Sequence, residues 1–313
     1  MGGSQHSNTL AQNMKAAKAL LHLLLFAAIF RAGFARTPTT RSSWRERRKP
    51  RVEVHMNDKI MNRRTYASPI VLEDYKLIFF PIQKTGCTVW KQLFRRISGF
   101  QDWRTGRTWG HGTGLIYLAD HNIKKATELM NDQSFTRAMF LRDPKEKFLS
   151  AFLDKAVKTT YFYRKCMKSC RRKVGDPKTC LQKSRDFAYF VKATRSCHDT
   201  HWSPQSENIE KKYLNTLDFV GHLENAASDA RILLEQLGLW EKFGKSGWGK
   251  YKNESIFQSR SFVKHRTANE SESDLHRLKS WYTPTIEKEI ENRFSEDYNR
   301  DVYGLELRRL YER

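Results

Sequence analysis

Two uninterrupted apolar runs, Leu77-Ile-Phe-Phe80 and Met139-Phe-Leu141, stand out in a chain where polar and hydrophobic positions otherwise mix. Each is short and passes at once into turn-forming and charged residues, the pattern of a strand covered on both faces that leads into a helix. After the first run, Lys84, Gly86 and Thr88 occupy a turn and a helix is predicted from near Val89. After the second, Asp143-Pro144 places proline at the first helical position, and 145–155 reads as helix with Phe148, Ala151, Phe152 and Lys155 at one-turn spacing. Elsewhere the pattern predicts a helix over 122–131 and a short strand at Phe219-Val220-Gly221. It also predicts an amphipathic helix over 226–237 with Ile232, Leu233 and Leu237 inward. A last helix over 282–298 starts at Thr283-Pro284 and repeats Ile286, Ile290, Phe294 and Tyr298. The order strand, helix, helix, strand, helix implies an α/β fold: a central parallel sheet flanked by helices, with right-handed crossovers.

The two strand-turn-helix units also carry candidate chemistry. A helix start contributes about half a positive charge, Gly86 lets backbone approach a ligand, and Lys84 adds a mobile whole charge. This is phosphate-loop physics, although G-x-x-x-x-G-K-[ST] is absent, which argues against an ordinary kinase or NTPase. In the second unit Arg142 ends the strand and Ser150 lies two turns into the helix, where a planar guanidinium and a hydroxyl can share one phosphate. Together the units predict a nucleotide site with two separate phosphate clusters, P-loop-like in its strand-loop-helix form.

Composition narrows the class. At 313 residues and 39% hydrophobic, the chain fits one folded domain of about 230 residues plus an N-terminal extension. Fifty-seven Lys and Arg against thirty-four Asp and Glu give +23, which predicts attraction to polyanions without choosing between nucleic acid and acidic polysaccharide. Lys15 and Lys18 followed by the apolar run Ala19–Phe30 resolve the choice, because they form a secretory signal. The run is shorter than the roughly 20 residues of a comfortable span, and Gly33-Phe34-Ala35 offers a cleavage site, so both a cleaved signal and an uncleaved anchor are open. With no helix-turn-helix or RNA-binding aromatic signature either, no nucleic-acid partner is expected. The expected organisation is a signal over 1–36, an extended basic stem over 37–65, and a domain over 66–313 with a cysteine-rich insertion at about 160–200.

In that insertion Cys166, Cys170, Cys180 and Cys197 predict two disulfides in any of three pairings, with a zinc site as the rival. Cys87 reads as a small loop residue. Asn253-Glu-Ser255 and Asn269-Glu-Ser271 are glycosylation acceptors suited to luminal exposure. No carboxylate pair accompanies the phosphate loop, so no metal requirement is expected.

Lys84-Thr-Gly-Cys-Thr-Val-Trp-Lys91 resembles the 5′-phosphosulfate loop of Golgi carbohydrate sulfotransferases of the HNK-1 and chondroitin/dermatan 4-O-sulfotransferase type. Arg142-Asp-Pro with Ser150-Ala-Phe-Leu-Asp-Lys155 resembles their 3′-phosphate motif. His201-Trp-Ser-Pro-Gln205, Leu217-Asp-Phe-Val-Gly-His-Leu-Glu224 and the loop 262–270 fit the same family, so the likeness runs from about Leu77 to Leu305. Gln83, Lys147 and the lack of a cysteine soon after Gln205 depart from the family pattern.

The resemblance implies transfer of a sulfuryl group from 3′-phosphoadenosine 5′-phosphosulfate to a hydroxyl of a glycosaminoglycan, chondroitin- or dermatan-like, or of a glycoprotein glycan. It further implies a single-pass type II protein facing the Golgi lumen. Donor-binding candidates are Lys84, Thr85, Gly86, Cys87, Thr88, Lys91, Arg142, Ser150, His265, Arg266 and Thr267. Lys84 is the candidate for stabilising the leaving phosphate, and a histidine suits the task of general base. His111, in the glycine-rich stretch Trp109–Gly114, is first choice, His201 second and His265 third. Acceptor contacts are sought among Arg95, Arg96, Arg104, Arg107, Lys155, Lys158, Arg164 and Lys165. The alternative is a secreted, non-catalytic heparin- or polysaccharide-binding protein on the same scaffold.

Overall fold

The computed structural model describes residues 50–63, 67–110, 112–258 and 272–311. His111, His265, Arg266, Thr267, Asn269 and the N-terminal signal segment lie outside the described residues.

Four strands form one sheet in the order β1 (Ile70–Leu72), β2 (Leu77–Phe80), β3 (Thr136–Leu141), β4 (Phe219–His222). The last three are parallel, with Phe79 opposite Ala138 and Met139 opposite Val220. β1 is antiparallel to β2, an addition to the parallel sheet expected from sequence. Only Glu73 to Lys76 separate these two strands, and so short a link permits a hairpin but no crossover. Every residue of β2 and β3 is buried, as strands with both faces covered require. β3 begins three residues before the expected Met139, because Arg137 hides its start. This arginine is 1% exposed and donates to Asp218 at 3.1 Å and to the Met130 carbonyl at 2.9 Å.

Alternation along the strands divides the core. Leu77, Phe79 and Phe140 face α1 (Cys87–Ile97) and the helix Ala226–Gln236, packing with Trp90, Phe94, Leu233 and Leu234. In the latter helix the inward set is Ala226, Ala230, Leu233 and Leu234, while Ile232 and Leu237 are half-buried rather than central. Ile78, Phe80, Met139 and Leu141 face the other way, against Leu129 and Met130 of α2 (Ile123–Asn131). Val52, Val54, Ile60 and Met61 join that second cluster. The latter part of the expected stem, residues 50–63, is therefore packed on the domain: Val52, Val54, Ile60 and Met61 cover the open face of the sheet while Met56 stays exposed, and Asn131 exchanges hydrogen bonds with both backbone groups of Val52.

A third cluster is built mostly from helices. α3 (Pro144–Phe152) is followed by a π-helical segment, Leu153–Lys158, so the helical run expected over 145–155 widens in its last turns. Beyond it, α4 (Tyr161–Cys166), α5 (Lys168–Val174), α6 (Pro177–Ser184) and α7 (Phe187–Ala193) form the cysteine-rich insertion. Phe148, Phe152, Phe162, Phe190 and Trp202 pack there with Ile290 and Phe294. The helix expected over 282–298 runs as Pro284–Arg293, with a tighter turn, Ser295–Tyr298, after it. The four clustered cysteines pair as Cys166–Cys197 and Cys170–Cys180, which removes the zinc alternative, and Cys87 is a free thiol. Among the described residues no helix is long and apolar enough to cross a membrane.

Candidate functional site

Because β2 and β3 are adjacent and parallel, their outgoing turns lie side by side at the carboxyl edge of the sheet, where α/β folds assemble their sites. The turn after β2 is folded by its own residues. Thr85 Oγ1 donates to the Ile82 carbonyl at 2.9 Å, and Lys84 (φ 69°) and Gly86 (φ 84°) both take the left-handed conformation. Gly86 begins α1, and no side chain caps that helix. The first N–H groups, at Cys87 and Thr88, thus have no intrahelical acceptor, and the helix starts as an exposed positive end. Lys91, one turn in, is buried, while Thr88 is exposed.

Lys84 is not the mobile surface charge that the sequence suggested. Its Nζ is 2.8 Å from Asp154 Oδ2, and Lys155 reaches the same oxygen at 3.2 Å. Burial lowers the Lys84 pKa, with Asp154 opposing the shift and Lys155 and Arg142 reinforcing it. Burial alone would raise the Asp154 carboxyl, but Lys84 and Lys155 outweigh it and hold it at about 2.

The turn after β3 is closed more tightly. Asp143 accepts from the N–H groups of Lys145 and Glu146 and so caps α3. Its own buried carboxyl is pushed up to about 6, by desolvation first and by Glu224 second. Arg142 is 2% exposed and reaches Glu146 at 3.3 Å and the carbonyl oxygen of Lys84 at 3.4 Å. That last contact joins the two turns. Burial lowers the Arg142 pKa against the pull of Glu146, Glu224 and Asp143, with Arg277 near enough to push the same way as burial. The Arg142 Nε is buried with no hydrogen-bond partner among the described residues, a donor left open for an anion. Ser150 is buried two turns along α3.

One strap, residues 199–205, ties these parts together. The Gln205 side chain clasps the Arg142 backbone, accepting from its N–H at 3.0 Å and donating to its carbonyl at 2.8 Å. Lys147 of α3 donates to the carbonyls of Ser203 (2.7 Å) and His201 (3.3 Å), and burial lowers its pKa to about 8. His201 Nδ1 bonds Asp199, and the ring lies within electrostatic range of Lys84 and Lys155. Of the expected site residues, Lys84, Arg142 and His201 are thus brought together. Sequence reasoning passed over Asp154, Asp199, Glu146, Glu224 and the clasp made by Gln205. Two faint signals existed: the acid directly before Lys155, and an Asp two residues before His201.

The basic residues sort by burial. Arg95 is tied to the Thr113 carbonyl and Asp102, and Arg96 to the carbonyls of Phe243 (2.9 Å) and Ser246 (2.8 Å). Both therefore hold the fold and leave the expected acceptor set. Arg104, Arg107, Lys158, Arg164 and Lys165 are exposed. Among the described residues no group of three or more His, Cys, Asp or Glu is arranged to hold a metal ion.

The chain is similar in sequence to known proteins. A profile described as "Sulfotransferase family" matches residues 68–303. Human carbohydrate sulfotransferase 9 is 27% identical over 185 residues, 55% of this chain and 41% of that protein. Human carbohydrate sulfotransferase 14 is 25% identical over 184 residues, covering 55% and 47%. Mouse carbohydrate sulfotransferase 8 is 24% identical over 183 residues, covering 54% and 43%. The chain spans about half the length, or less, of these curated relatives. No solved structure gives a significant match.

Proposed function

The chain belongs to the sulfotransferase family, and from that premise we propose that it moves a sulfuryl group from 3′-phosphoadenosine 5′-phosphosulfate to a hydroxyl of an anionic glycan. The observation that carries this reading is the meeting of the Lys84 and Arg142 turns on adjacent parallel strands, joined by the contact of Arg142 with the Lys84 carbonyl. The donor supplies the sulfuryl group and a 5′-phosphate that accepts charge as it leaves.

Sulfuryl transfer, like phosphoryl transfer, rests mostly on positioning and on stabilising charge at the leaving oxygen. Lys84 and the open N–H groups of Gly86, Cys87 and Thr88 are suited to that oxygen, with Thr85 holding the turn and Lys91 supporting it from α1. The unpartnered Nε of Arg142, with Ser150 behind it, suits the 3′-phosphate that distinguishes this donor from ordinary adenylates. His201 is the histidine that the described residues set beside Lys84. His265, Arg266 and Thr267 keep the donor-binding roles proposed for them from sequence, and His111 remains the rival to His201 as general base.

For the acceptor, we infer a chondroitin- or dermatan-like glycosaminoglycan in the Golgi lumen. The support is the +23 charge and the exposed bases of the insertion. Lys165, Lys168, Arg171, Arg172 and Lys173 crowd α4 and α5, while the acids Asp176 and Asp186 are used as helix caps. The two disulfides and the exposed Asn253 suit an oxidising, glycosylating compartment.

The test is transfer of labelled sulfate to a panel of desulfated glycosaminoglycans and glycoprotein glycans, with disaccharide analysis of the product. Label is expected in chondroitin or dermatan and is expected to vanish in Lys84→Ala. Polysaccharide binding that survives Lys84→Ala, with no transfer by the unaltered chain, would favour the non-catalytic binder instead.

A further inference from the structure

Asp199 is a heavily engaged carboxylate close to His201, and the proposed chemistry does not use it. Its side chain is 6% exposed and takes four hydrogen bonds. These come from His201 Nδ1, the His201 backbone N–H at 3.0 Å, the Tyr161 hydroxyl at 2.7 Å and Lys165 Nζ. Two of the donors stand on α4, and the Cys166–Cys197 disulfide fastens that helix to the strap, with Cα atoms 5.7 Å apart. Cys166 follows Lys165 directly, and Cys197 precedes Asp199 by two residues. Trp202 adds a bond from its Nε1 to the Cys197 carbonyl at 2.6 Å, and the Tyr161 and His201 rings stand edge to face at 5.7 Å.

On the reading of the site given above, we propose that Asp199 is a positioning residue: it fixes His201 in the tautomer that leaves Nε2 free to take the proton of the acceptor hydroxyl. The chemistry follows from donor and acceptor inventories. An ionised carboxylate can only accept, so the Nδ1 bonded to it must carry the hydrogen, and the remaining ring nitrogen has the lone pair. As the hydroxyl oxygen bonds to sulfur, the bond from sulfur to the 5′-phosphate oxygen breaks and its electron pair leaves with the phosphate. The hydroxyl proton passes to His201 Nε2 and from there to solvent.

The surroundings agree. Lys84, Lys155, Lys165 and Lys147 supply positive charge from four elements around the ring, and Asp199 supplies the negative charge. Burial first, then Lys155 and Lys84, lower the His201 pKa against the pull of Asp199, so the ring is neutral and able to accept a proton near neutral pH. Burial would raise the Asp199 carboxyl, but His201 and Lys165 outweigh it and keep it ionised.

The experiment compares the full chain with Asp199→Asn, His201→Ala, Tyr161→Phe and Lys165→Met. It measures kcat, acceptor KM, the pH–rate profile, and calorimetric binding of adenosine 3′,5′-bisphosphate. For Asp199→Asn, kcat is expected to fall about 100-fold, the scale of a general base losing its orientation, with bisphosphate affinity changed less than about threefold. Asp199 raises the His201 pKa, so its loss moves the acid limb of the profile to lower pH. Tyr161→Phe and Lys165→Met each remove one bond to the carboxylate and are expected to lower kcat a few-fold, but because they leave Asp199 less neutralised they move the acid limb the opposite way, to higher pH. They keep the proposal testable if Asp199→Asn does not fold. Unchanged kcat and acid limb in these variants, or an active His201→Ala, would overturn the assignment. An unaltered chain that neither binds the bisphosphate nor transfers sulfate would fail at the earlier step and take down the parent reading as well.

Discussion

The turn after β2 and the turn after β3 use the same parts, a buried strand, a basic residue and a helix start, yet they present positive charge in opposite ways. Gly86 opens α1 with no side-chain cap, and one carboxylate, Asp154, balances Lys84. Asp143 closes α3 by taking its first N–H groups, and Glu146 and Glu224 crowd Arg142. The first turn can therefore offer backbone and side chain together. The second can offer only side chains, chiefly one unpartnered Nε. Under the proposed function this divides the work: the open turn faces the phosphate where charge develops, and the closed turn reads a remote phosphate without joining the reaction.

The sharpest break of that division is Lys84→Ala. Turnover is expected to fall 100-fold or more, roughly the loss on removing one donor to a developing oxyanion. Bisphosphate affinity, followed by calorimetry, should fall much less; equal losses in both would mean that the two turns grip alike. Arg142→Lys keeps the charge but removes the guanidinium fork and its Nε. Donor KM should rise on the order of tenfold while kcat stays within a few-fold, as initial-rate kinetics will show.

Gly86→Ala puts a Cβ at φ 84°, which costs about 1–2 kcal/mol. A lower Tm and weaker bisphosphate binding are expected, whereas an alanine at the start of the capped helix α3 would lack this penalty. The smallest effect concerns Asp143→Asn, whose amide oxygen can still cap the helix. The folded Asp143 carboxyl titrates at about 6 against an ordinary 3.8. Its contribution to stability is therefore complete below the unfolded value and is lost as pH rises through about 6. Melting curves from about pH 5 to about pH 7 should show the variant gaining on the unaltered chain as pH rises.

Much of this frame was legible in the residues. The Leu77–Phe80 and Met139–Leu141 runs located the two central strands because double burial leaves a continuous apolar signal. Asp143-Pro144 and Thr283-Pro284 located their helix starts because capping is local chemistry. What pattern could not give was set by distant partners. Arg137 lies in a strand only because Asp218, eighty-one residues later, neutralises it. Val52 and Val54 are core residues only because the sheet has a face for them to cover. Asp154 and Asp199 look like ordinary surface acids until the fold sets Lys84 against one and His201 against the other.

The Lys84–Asp154 contact has a consequence for how a ligand enters. With its side chain 11% exposed, Lys84 has already surrendered most of its hydration shell to a fixed counterion. Under the proposed function, an arriving phosphate meets an ammonium already largely desolvated and displaces or joins a carboxylate at that address. On that reading occupancy is an exchange of neighbours, and the resting molecule keeps the cation in place without leaving it bare.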